Sequence, residues 1–507
     1  MGEKRIKSAL ISVFHKENLE PILEILKENN VTIYSTGGTQ KFIEDKGLQV
    51  NAIEDQTGYP SIFGGRVKTL HPKVFGGILQ RSDDPSDQKE AEEHNIPPYD
   101  LVIVDLYPFE QTVSSGASHD EVIEKIDIGG ISLIRAGAKN YNDVLIVSSM
   151  SQYQELFDII KSNCSTTIEE RLKFATYAFN ISSHYDASIF SYFNKENSVP
   201  AFKLSINTSK TLRYGENPHQ TGSFYGSFDE LFDQLHGKSI SYNNLIDIDA
   251  AISLINDLKN GISFAILKHN NACGAAYGNS VKDAYLKAFA ADTLSAFGGI
   301  LITNSRIDLD AAEEINKLFC EVVIAPAFDD DALGLLKSRK NRIILVHKKS
   351  PQPKKQFRSL LNGVIEQDID ADVETSDDLS LITKKQPTED QIDAMLFANI
   401  LVKHTKSNAI ILAKKDQLIS SGVGQTSRID AVRQAIKKAE YFGFDVTETV
   451  MASDAFFPFK DSVEIAHEFG IKAIIQPGGS VKDEESIGFC NENEISMVFT
   501  GKRHFKH

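Results

Sequence analysis

The sequence predicts an α/β fold built on parallel sheets, and two observations support this prediction. Short apolar runs alternate with amphipathic stretches through the first 150 residues, which is the rhythm of strands and covering helices in βαβ units. The run LVIV at residues 101–104 is apolar at every position, as expected for a strand that is buried on both faces. The first 150 residues are therefore expected to form a doubly wound domain.

The elements of this domain follow in chain order. The predicted strands are residues 9–14, 31–34, 101–106 and 144–147, and the predicted helices include residues 19–27 and 39–45. Residues 83–99 are acidic and interrupted by proline, which indicates a surface excursion. Residues 166–193 have the pattern of one or two helices, and the polar stretch 194–210 loses all periodicity. We therefore predict one domain over residues 1–198 and a second over residues 199–507.

The second region is too long for one compact core, and it shows a hint of internal duplication. The apolar run 264–269 ends in Lys-His, and so does the run 401–404. A motif of small and aromatic residues follows each run, at 295–299 and at 453–458. Because short matches also arise by chance, these residues leave duplication open. Residues 347–390, rich in Lys, Pro and Asp, are expected to connect the two halves.

Length and charge exclude several classes of protein. A chain of 507 residues is about three times the usual domain length of roughly 150 residues, so two to four domains are expected. Its 54 Lys and Arg against 70 Asp and Glu give a net charge of −16. This balance argues against a general binder of DNA or RNA, whose affinity needs a broad positive surface. An anionic ligand must therefore meet a locally basic site.

The four cysteines are far apart in the sequence and form no CxxC pair, which favours neither a disulfide framework nor a zinc knuckle. The first residues are too polar for a signal-peptide core, and no run approaches the roughly 20 apolar residues of a membrane span. We therefore expect a cytoplasmic protein with no membrane partner and no nucleic-acid partner. His467-Glu468 lacks the second histidine of HExxH, so metal-free chemistry is expected.

Three glycine-containing segments of the first half are candidate anion sites. STGGT at residues 35–39 follows a predicted strand and opens a helix, which suits either a phosphate site or a plain capped turn. Residues 64–72 place Arg66, Lys68 and His71 in a loop bounded by glycines, although a solvated surface loop fits equally well. DIGG at residues 127–130 leads into a helix that carries a cationic end.

In the second half, the polar loop 212–220 contains Arg213, which suits either phosphate binding or a surface turn. Lys268 and His269 place a cation beside a general acid–base side chain, although a lone histidine at a strand end is more often structural. Residues 422–428 and 476–480 are further glycine loops.

Taken together, these segments resemble one known family over essentially the whole chain, the bifunctional AICAR transformylase/IMP cyclohydrolases of purine biosynthesis. The resemblance implies a methylglyoxal-synthase-like parallel α/β domain that closes the purine ring. It also implies a transformylase of two cytidine-deaminase-like α/β halves, roughly 199–350 and 380–507, and a homodimer whose transformylase sites draw on both subunits. The segments that carry it are 35–39, 65–72, 106–109, 126–130, 213–220, 241–244, 268–269, 295–299, 406–408, 424–428, 453–459 and 503–507.

The resemblance assigns residues to the transfer of a formyl group from 10-formyltetrahydrofolate to AICAR. His269 would take a proton from the attacking amine, Lys268 would stabilise the tetrahedral oxyanion, and Asn408 would orient the substrate. The further matches on the substrate side are Arg213, Tyr214, Gly298, Glu321 and Arg503. The matches on the folate side are Arg428, Ile429, Phe456, Ser480 and Val481.

For the closure of formyl-AICAR to IMP, Lys139 matches the family's acid–base residue. Asp127, Tyr107 and Lys68 would polarise or position the reacting groups. The predicted contacts to substrate and phosphate are Phe14, His15, Lys16, Thr36, Gly37, Gly38, Thr39, Arg66, Val67, Thr69, Val104, Asp105 and Ile128.

The sequence departs from the family at several loop positions, which leaves local geometry and folate affinity open. Glu321 is one methylene longer than the aspartate of some relatives, and the other departures are Ala272, Thr293, Asn362 and Val423. Two alternatives to the bifunctional enzyme remain: a non-catalytic sensor of a purine nucleotide, and an enzyme with only one active half. The retention of Lys139, Lys268, His269 and Asn408 disfavours the sensor, because binding alone does not require them.

Overall fold

The computed structural model describes residues 3–348 and 353–507. The chain divides into two compact units, Met1–Asn207 and Thr208–His507. The division falls inside the polar stretch 194–210. Within the described residues, no helix is both long enough and apolar enough to cross a membrane.

The described part of the first unit has seven strands, five of which form a sheet whose strands all run parallel. In chain order its strands are β1 Lys4–Arg5, β2 Ser8–Ser12, β3 Thr32–Ser35, β4 Asn51–Ala52, β5 Leu101–Val104, β6 Leu145–Val147 and β7 Ser165–Thr166. The order across the sheet is β4-β3-β2-β5-β6, and β1 pairs with β7 outside it.

Helices cover both faces of this sheet. They are α1 Glu20–Glu28, α2 Gly37–Asp45, α3 Ile53–Thr57, α4 Pro72–Leu79, α5 Pro85–Glu93, α6 Phe109–Ser114, α7 His119–Ile123, α8 Gly129–Lys139, α9 Tyr153–Ile160 and α10 Ile168–Phe193. Leu101 and Ile103 pack in the core on the side of α1 and α9, whereas Val102 and Val104 pack on the side of α4 and α8. The prediction of a doubly wound domain with strands buried on both faces is confirmed.

Two segments of the first unit are more regular than the sequence predicts. The pattern over residues 166–193 forms one helix, α10, of 26 residues, which begins with a capping box between Thr167 and Glu170. The acidic excursion 83–99 contains α5, which buries no residue. Its N-cap, Asp84, accepts a hydrogen bond from the backbone of Ser86, so a cap and not core packing defines where this helix begins.

The described part of the second unit contains sixteen strands, twelve of which form one large sheet. Its strands in chain order are β8 Ser209–Thr211, β9 Ser223–Tyr225, β10 Phe232–His236, β11 Ile262–Lys268, β12 Asn271–Gly278, β13 Ile300–Thr303, β14 Val322–Ala325, β15 Ile343–His347, β16 Lys355–Leu360, β17 Gly363–Asp368, β18 Ser380–Leu381, β19 Ile410–Lys414, β20 Gln417–Gly422, β21 Val450–Ser453, β22 Ala473–Gln476 and β23 Ser496–Phe499. The order across the large sheet is β10-β15-β14-β13-β11-β12-β20-β19-β21-β22-β23-β18.

The helices of the second unit lie on both faces of this sheet. They are α11 Phe228–Leu231, α12 Tyr242–Asp257, α13 Val281–Ala291, α14 Leu309–Lys317, α15 Asp330–Leu336, α16 Glu389–Lys403, α17 Arg428–Tyr441, α18 Asp461–Glu468 and α19 Asp483–Glu492. One core cluster contains residues of both α12 and α16, and two further clusters cover the opposite face under α13–α15 and α17–α19.

The connectivity of the large sheet is repeated. In the first half, β11 and β12 form a hairpin, β13 runs antiparallel to β11, and β14 and β15 follow in parallel. In the second half, β19 and β20 form a hairpin, β21 runs antiparallel to β19, and β22 and β23 follow in parallel. The two hairpins meet through β12 and β20, where Ala276 pairs with Gln417.

The two Lys-His matches that suggested this duplication are not equivalent positions. Lys268 ends strand β11, whereas Lys403 ends helix α16. The second motif is also out of register, because residues 295–299 precede β13 whereas residues 453–458 begin at the end of β21. The repeat therefore lies in the order of the elements, not in these residues.

The predicted connector 347–390 contains regular structure in its described part. β16 and β17 form a two-stranded hairpin in which every strand residue is exposed. β18 pairs antiparallel with β23 and so extends the large sheet by one edge strand.

Candidate active sites

The first unit has a cavity of about 800 Å³ at the carboxyl ends of its parallel strands. Ligands of open α/β sheets bind at this edge, because loops and helix starts converge there. The predicted residues that line the cavity are Phe14, Lys16, Thr36, Gly38, Thr39, Arg66, Lys68, Thr69, Tyr107, Asp105, Asp127 and Ile128.

Two helices begin at this cavity. α2 follows Thr36, and α8 begins at Gly129, which also lines the cavity. The first N–H groups of a helix have no partner within the helix and favour an anion. Gly37 has a φ of +55°, and a Cβ added there would lie 3.6 Å from Lys68 Nζ. The Lys68 ammonium therefore lies close to the start of α2, where it adds to the same positive field.

Four cations line the cavity in an acidic chain: Lys16, Arg66, Lys68 and Lys125. Arg66 forms an ion pair with Glu124. Lys16 Nζ donates hydrogen bonds to the backbone oxygens of Val13 and Phe14, at 3.3 and 3.0 Å. Two helix starts and these cations make the cavity suited to a phosphate-bearing molecule.

A buried carboxyl group and a phenol also line this cavity. Burial raises the pKa of Asp127, although its carboxylate accepts a hydrogen bond of 2.6 Å from the backbone of Gly130. Burial and the nearby carboxylates of Asp127 and Asp105 raise the pKa of Tyr107. Groups whose pKa values are displaced by burial beside a partner are typical of proton-transfer sites.

Other predicted residues hold the loop at residues 14–16 in place. Asp105 accepts hydrogen bonds from the backbone N–H groups of Phe14 and His15 and from His15 Nδ1, the last at 2.8 Å. Thr39 Oγ1 accepts from Val13 N at 3.0 Å and donates to Val13 O at 2.9 Å. These side chains therefore position the loop that carries Phe14 and Lys16.

In the second unit, the candidate site is the turn between β11 and β12. His269 and Asn270 have φ angles of +51° and +66°, so the chain reverses within two residues. Lys268 Nζ donates a hydrogen bond to the backbone oxygen of Phe297. Asn270 N donates to Asp247 Oδ1 at 2.7 Å, and burial raises the pKa of this aspartate. His269 remains exposed at the tip of the turn.

This turn lies beside a segment of the second half. The backbone N–H of Lys406 donates to Asn271 Oδ1 at 2.9 Å, two residues before Asn408. Asn408 Nδ2 donates to the backbone oxygen of Gln425 at 3.0 Å, and its Oδ1 accepts from Arg428 Nη2 at 2.8 Å. The structure therefore brings the Lys268-His269 turn and Asn408 into one neighbourhood.

Comparisons with known proteins cover both units. The family model described as AICARFT/IMPCHase bienzyme matches residues 137–438, and the model of the MGS-like domain matches residues 18–132. The chain belongs to the AICARFT/IMPCHase bienzyme family.

Relatives named "Bifunctional purine biosynthesis protein PurH" match almost the entire chain. The protein from Bacteroides thetaiotaomicron is 60% identical over 99% of both chains. The protein from Persephonella marina is 42% identical over 100% of both, and that from Aquifex aeolicus is 43% identical over 98% of this chain and 100% of its own. The membership in the bienzyme family that the sequence predicts is confirmed.

Several residues that the sequence predicts for ring closure do not line the cavity of the first unit. Lys139 is exposed at the far end of α8, about 15 Å along the helix axis from Gly129 at 1.5 Å per residue. Val104 lies buried within β5. Gly37, His15 and Val67 adjoin lining residues without lining the cavity themselves.

Arg428, predicted on the folate side, is buried in a polar network. Its Nη1 forms an ion pair with Asp454 and donates to Ser453 Oγ at 2.8 Å. Nη2 also donates to Asn408 Oδ1, so this buried guanidinium fixes the orientation of the Asn408 amide.

The other predicted transformylase residues are spread over several loops. Arg213 donates to Tyr214 Oη at 2.7 Å, Glu321 forms an ion pair with Lys238, and a Cβ added at Gly298 would lie 3.6 Å from Lys268 Nζ. Five further predicted residues make no hydrogen bond or ion pair with the 268–271 turn within the part of the chain that the structure describes. These residues are Ile429, Phe456, Ser480, Val481 and Arg503.

Sequence reasoning missed Lys125 and Asp454. Lys125 Nζ lies 5.9 Å from the ring centroid of Phe14 and 5.8 Å from that of Tyr107, within cation–π range. The sequence places Lys125 two residues before Asp127, a predicted site residue, and this proximity is a signal that could have identified it. Asp454 lies in the segment 453–459 that carries the resemblance, but its pairing with Arg428, 26 residues away in the chain, is not visible in the sequence.

Proposed function

We propose that this chain catalyses two consecutive steps, formyl transfer to AICAR in the second unit and closure of formyl-AICAR to IMP in the first. The observation that carries the proposal is the cavity of the first unit, which two helix starts, four cations and the buried carboxyl group of Asp127 line together, in a chain of the bienzyme family. IMP and formyl-AICAR each carry one phosphate and a planar base, which suits this combination of charges.

For formyl transfer, we assign His269 as the base and Lys268 as the oxyanion donor. The amine nitrogen of AICAR forms a bond to the formyl carbon of 10-formyltetrahydrofolate and gives its proton to His269. Lys268 stabilises the tetrahedral oxyanion, and the bond from carbon to N10 of the folate then breaks as N10 takes up a proton. The products are formyl-AICAR and tetrahydrofolate. Asn408, held by Arg428, would orient the amine and the carboxamide.

For ring closure, the carboxamide nitrogen forms a bond to the formyl carbon, and the formyl oxygen leaves as water. The two protons of this water come from the carboxamide nitrogen and the formamido nitrogen, so the step needs proton transfer and fixed geometry. Asp127 and Tyr107 have raised pKa values and line the cavity with Lys68, which supports them in these roles. The acid–base role of Lys139 stays a prediction that its position outside the cavity does not support.

The remaining partners follow from the same proposal. The formyl donor would be 10-formyltetrahydrofolate, no metal would be required, and the active form would be a cytoplasmic homodimer. All four cysteines are free and buried, which suits a reducing compartment.

Purified full-length protein incubated with AICAR and 10-formyltetrahydrofolate tests the proposal. We expect tetrahydrofolate, measured by absorbance, and IMP, measured by chromatography, to form in equal amounts. If the protein instead gains thermal stability from AICAR or IMP without turnover, it is a nucleotide sensor. If only tetrahydrofolate and formyl-AICAR form, and added formyl-AICAR also remains unchanged, the first unit is inactive.

A further inference from the structure

His504 is a buried histidine whose two ring nitrogens both face carboxylates. Its side chain is 3% exposed. Nδ1 lies 2.6 Å from Asp370 Oδ2, and Nε2 lies 3.1 Å from Glu374 Oε2. An ionised carboxylate can only accept a hydrogen bond, so with both carboxyl groups ionised both nitrogens donate, and the ring is then an imidazolium.

The acceptors are themselves held in place. Glu374 is buried, and its Oε2 also accepts from Asn399 Nδ2 at 2.7 Å. The backbone N–H of His504 donates to the backbone oxygen of Asp454 at 3.0 Å. His504 therefore joins the segment 370–374 to the residue after β21, and Glu374 extends this connection to helix α16 through Asn399.

Other charges near the imidazolium are already paired. Lys403 Nζ donates to the backbone oxygen of Asp372 at 2.8 Å and to Asp257 at 3.0 Å. Lys502 pairs with Asp372 at 2.8 Å, and the Asp454 carboxylate pairs with Arg428. Asp370 and Glu374 are thus the two carboxylates that face the His504 ring directly.

The chain beyond His504 is in direct contact with the segment that carries Asn408. Ser407 N donates to the backbone oxygen of Lys506 at 3.0 Å, and Lys506 N donates to Ser407 Oγ at 3.0 Å. Lys506 Nζ donates to the backbone oxygen of His404 at 3.2 Å. The anchor at His504 therefore fixes residue 506 against the residue next to Asn408.

We propose that His504 is a positioning residue for the transformylase site, because it anchors the 503–507 segment and so sets the placement of Arg503 and of the Ser407-Asn408 backbone. This inference rests on the proposed formyl-transfer function of the second unit. It predicts that loss of the imidazolium weakens the binding of AICAR more than it slows chemistry, since neither Lys268 nor His269 contacts His504.

The test compares His504→Gln with His507→Gln, a matched control at an exposed histidine of the same segment. For His504→Gln we expect a KM for AICAR raised about tenfold or more, a kcat within about threefold of wild type, and unchanged ring closure of added formyl-AICAR. His507→Gln should leave all three quantities within about twofold. An unchanged KM for AICAR in His504→Gln would overturn the proposal, and so would an equal loss of ring closure, which would indicate general misfolding.

The pH profile supplies a second readout. Burial alone would lower the pKa of His504, but its hydrogen bonds to Asp370 and Glu374 outweigh that effect and raise the pKa to about 9. The anchor is then fully present below the ordinary histidine pKa of about 6.5 and is lost as the pH rises through about 9. The KM for AICAR should rise across that range in wild type but not in His504→Gln, and parallel profiles would refute the assignment.

Hydrogen exchange separates this inference from the proposed function. Should wild type show no formyl transfer, the proposed function fails, whereas the anchor is still measured by amide exchange over residues 500–507. Exchange there should be faster in His504→Gln than in His507→Gln, and equal exchange would overturn the anchor itself.

Discussion

Replacing Arg428 by methionine tests the buried ion pair that supports Asn408. The guanidinium side chain is 6% exposed, and the carboxylate of its partner Asp454 is 0% exposed. Arg428→Met leaves this carboxylate buried without its cation, and removing one partner of such a pair costs about 3–5 kcal/mol. It also removes the donor to Asn408 Oδ1. We therefore expect a large loss of stability in the second unit together with a loss of formyl transfer.

Urea denaturation followed by circular dichroism measures the stability, and ring closure of added formyl-AICAR reports whether the first unit stays folded. The matched control is Arg433→Met on the same helix, where the side chain is 61% exposed and its pair with Asp430 spans 3.6 Å. A surface pair of this kind contributes about 0–1 kcal/mol. A cost below about 1 kcal/mol for Arg428→Met would refute the reasoning. Asp454→Leu combined with Arg428→Met should recover most of the lost stability, because no unpaired charge then remains buried.

Three further predictions concern the chemistry. His269→Ala should lower the rate of formyl transfer by at least about a hundredfold, because a general base contributes about 10²–10⁴-fold in rate. Ring closure of added formyl-AICAR should stay within about twofold of wild type. Loss of both activities in a folded variant would contradict separate sites. Lys125→Met should raise the KM for formyl-AICAR about tenfold, whereas the exposed control Lys161→Met should not; an unchanged KM would exclude Lys125 from binding. Asp127→Asn should abolish ring closure yet raise the thermal midpoint at pH 7. The pKa of this carboxyl is raised in the folded protein, so its ionised form opposes folding, and the amide removes that cost. A lowered midpoint would contradict this prediction.

Four strands of the parallel sheet in the first unit and the helices α1 and α2 could be predicted from the sequence, because local patterns decide them. Residues 101–104 are apolar at every position, and the strand Leu101–Val104 lies between two helical layers. The glycine-rich starts of α2 and α8 were also visible, since a helix start after a buried strand is a local signal. Length, charge and spacing could therefore point to an anion site at this edge of the sheet.

Long-range pairing was not visible in the same way. Arg428 and His504 are buried by partners that lie 26 and 130 or more residues away, so neither burial nor an ion pair could be inferred from their neighbours in sequence. The Lys-His matches failed for a related reason. A two-residue match carries no information on which element it ends, and one ends a strand while the other ends a helix.

The seam between β12 and β20 has a consequence for how the two halves of the large sheet can exist. Their strands pair at Ala276 and Gln417, beside a hydrogen bond of 2.8 Å from Tyr277 N to the backbone oxygen of Asp416, and one core cluster is shared across the seam. Lys438 bridges it to Asp292 at 2.7 Å. Separated, each half would present an open strand edge beside uncovered apolar side chains, which is the arrangement that invites aggregation. Each half thus covers the open strand edge of the other. We therefore expect that the two halves of the second unit cannot be produced as separate soluble pieces.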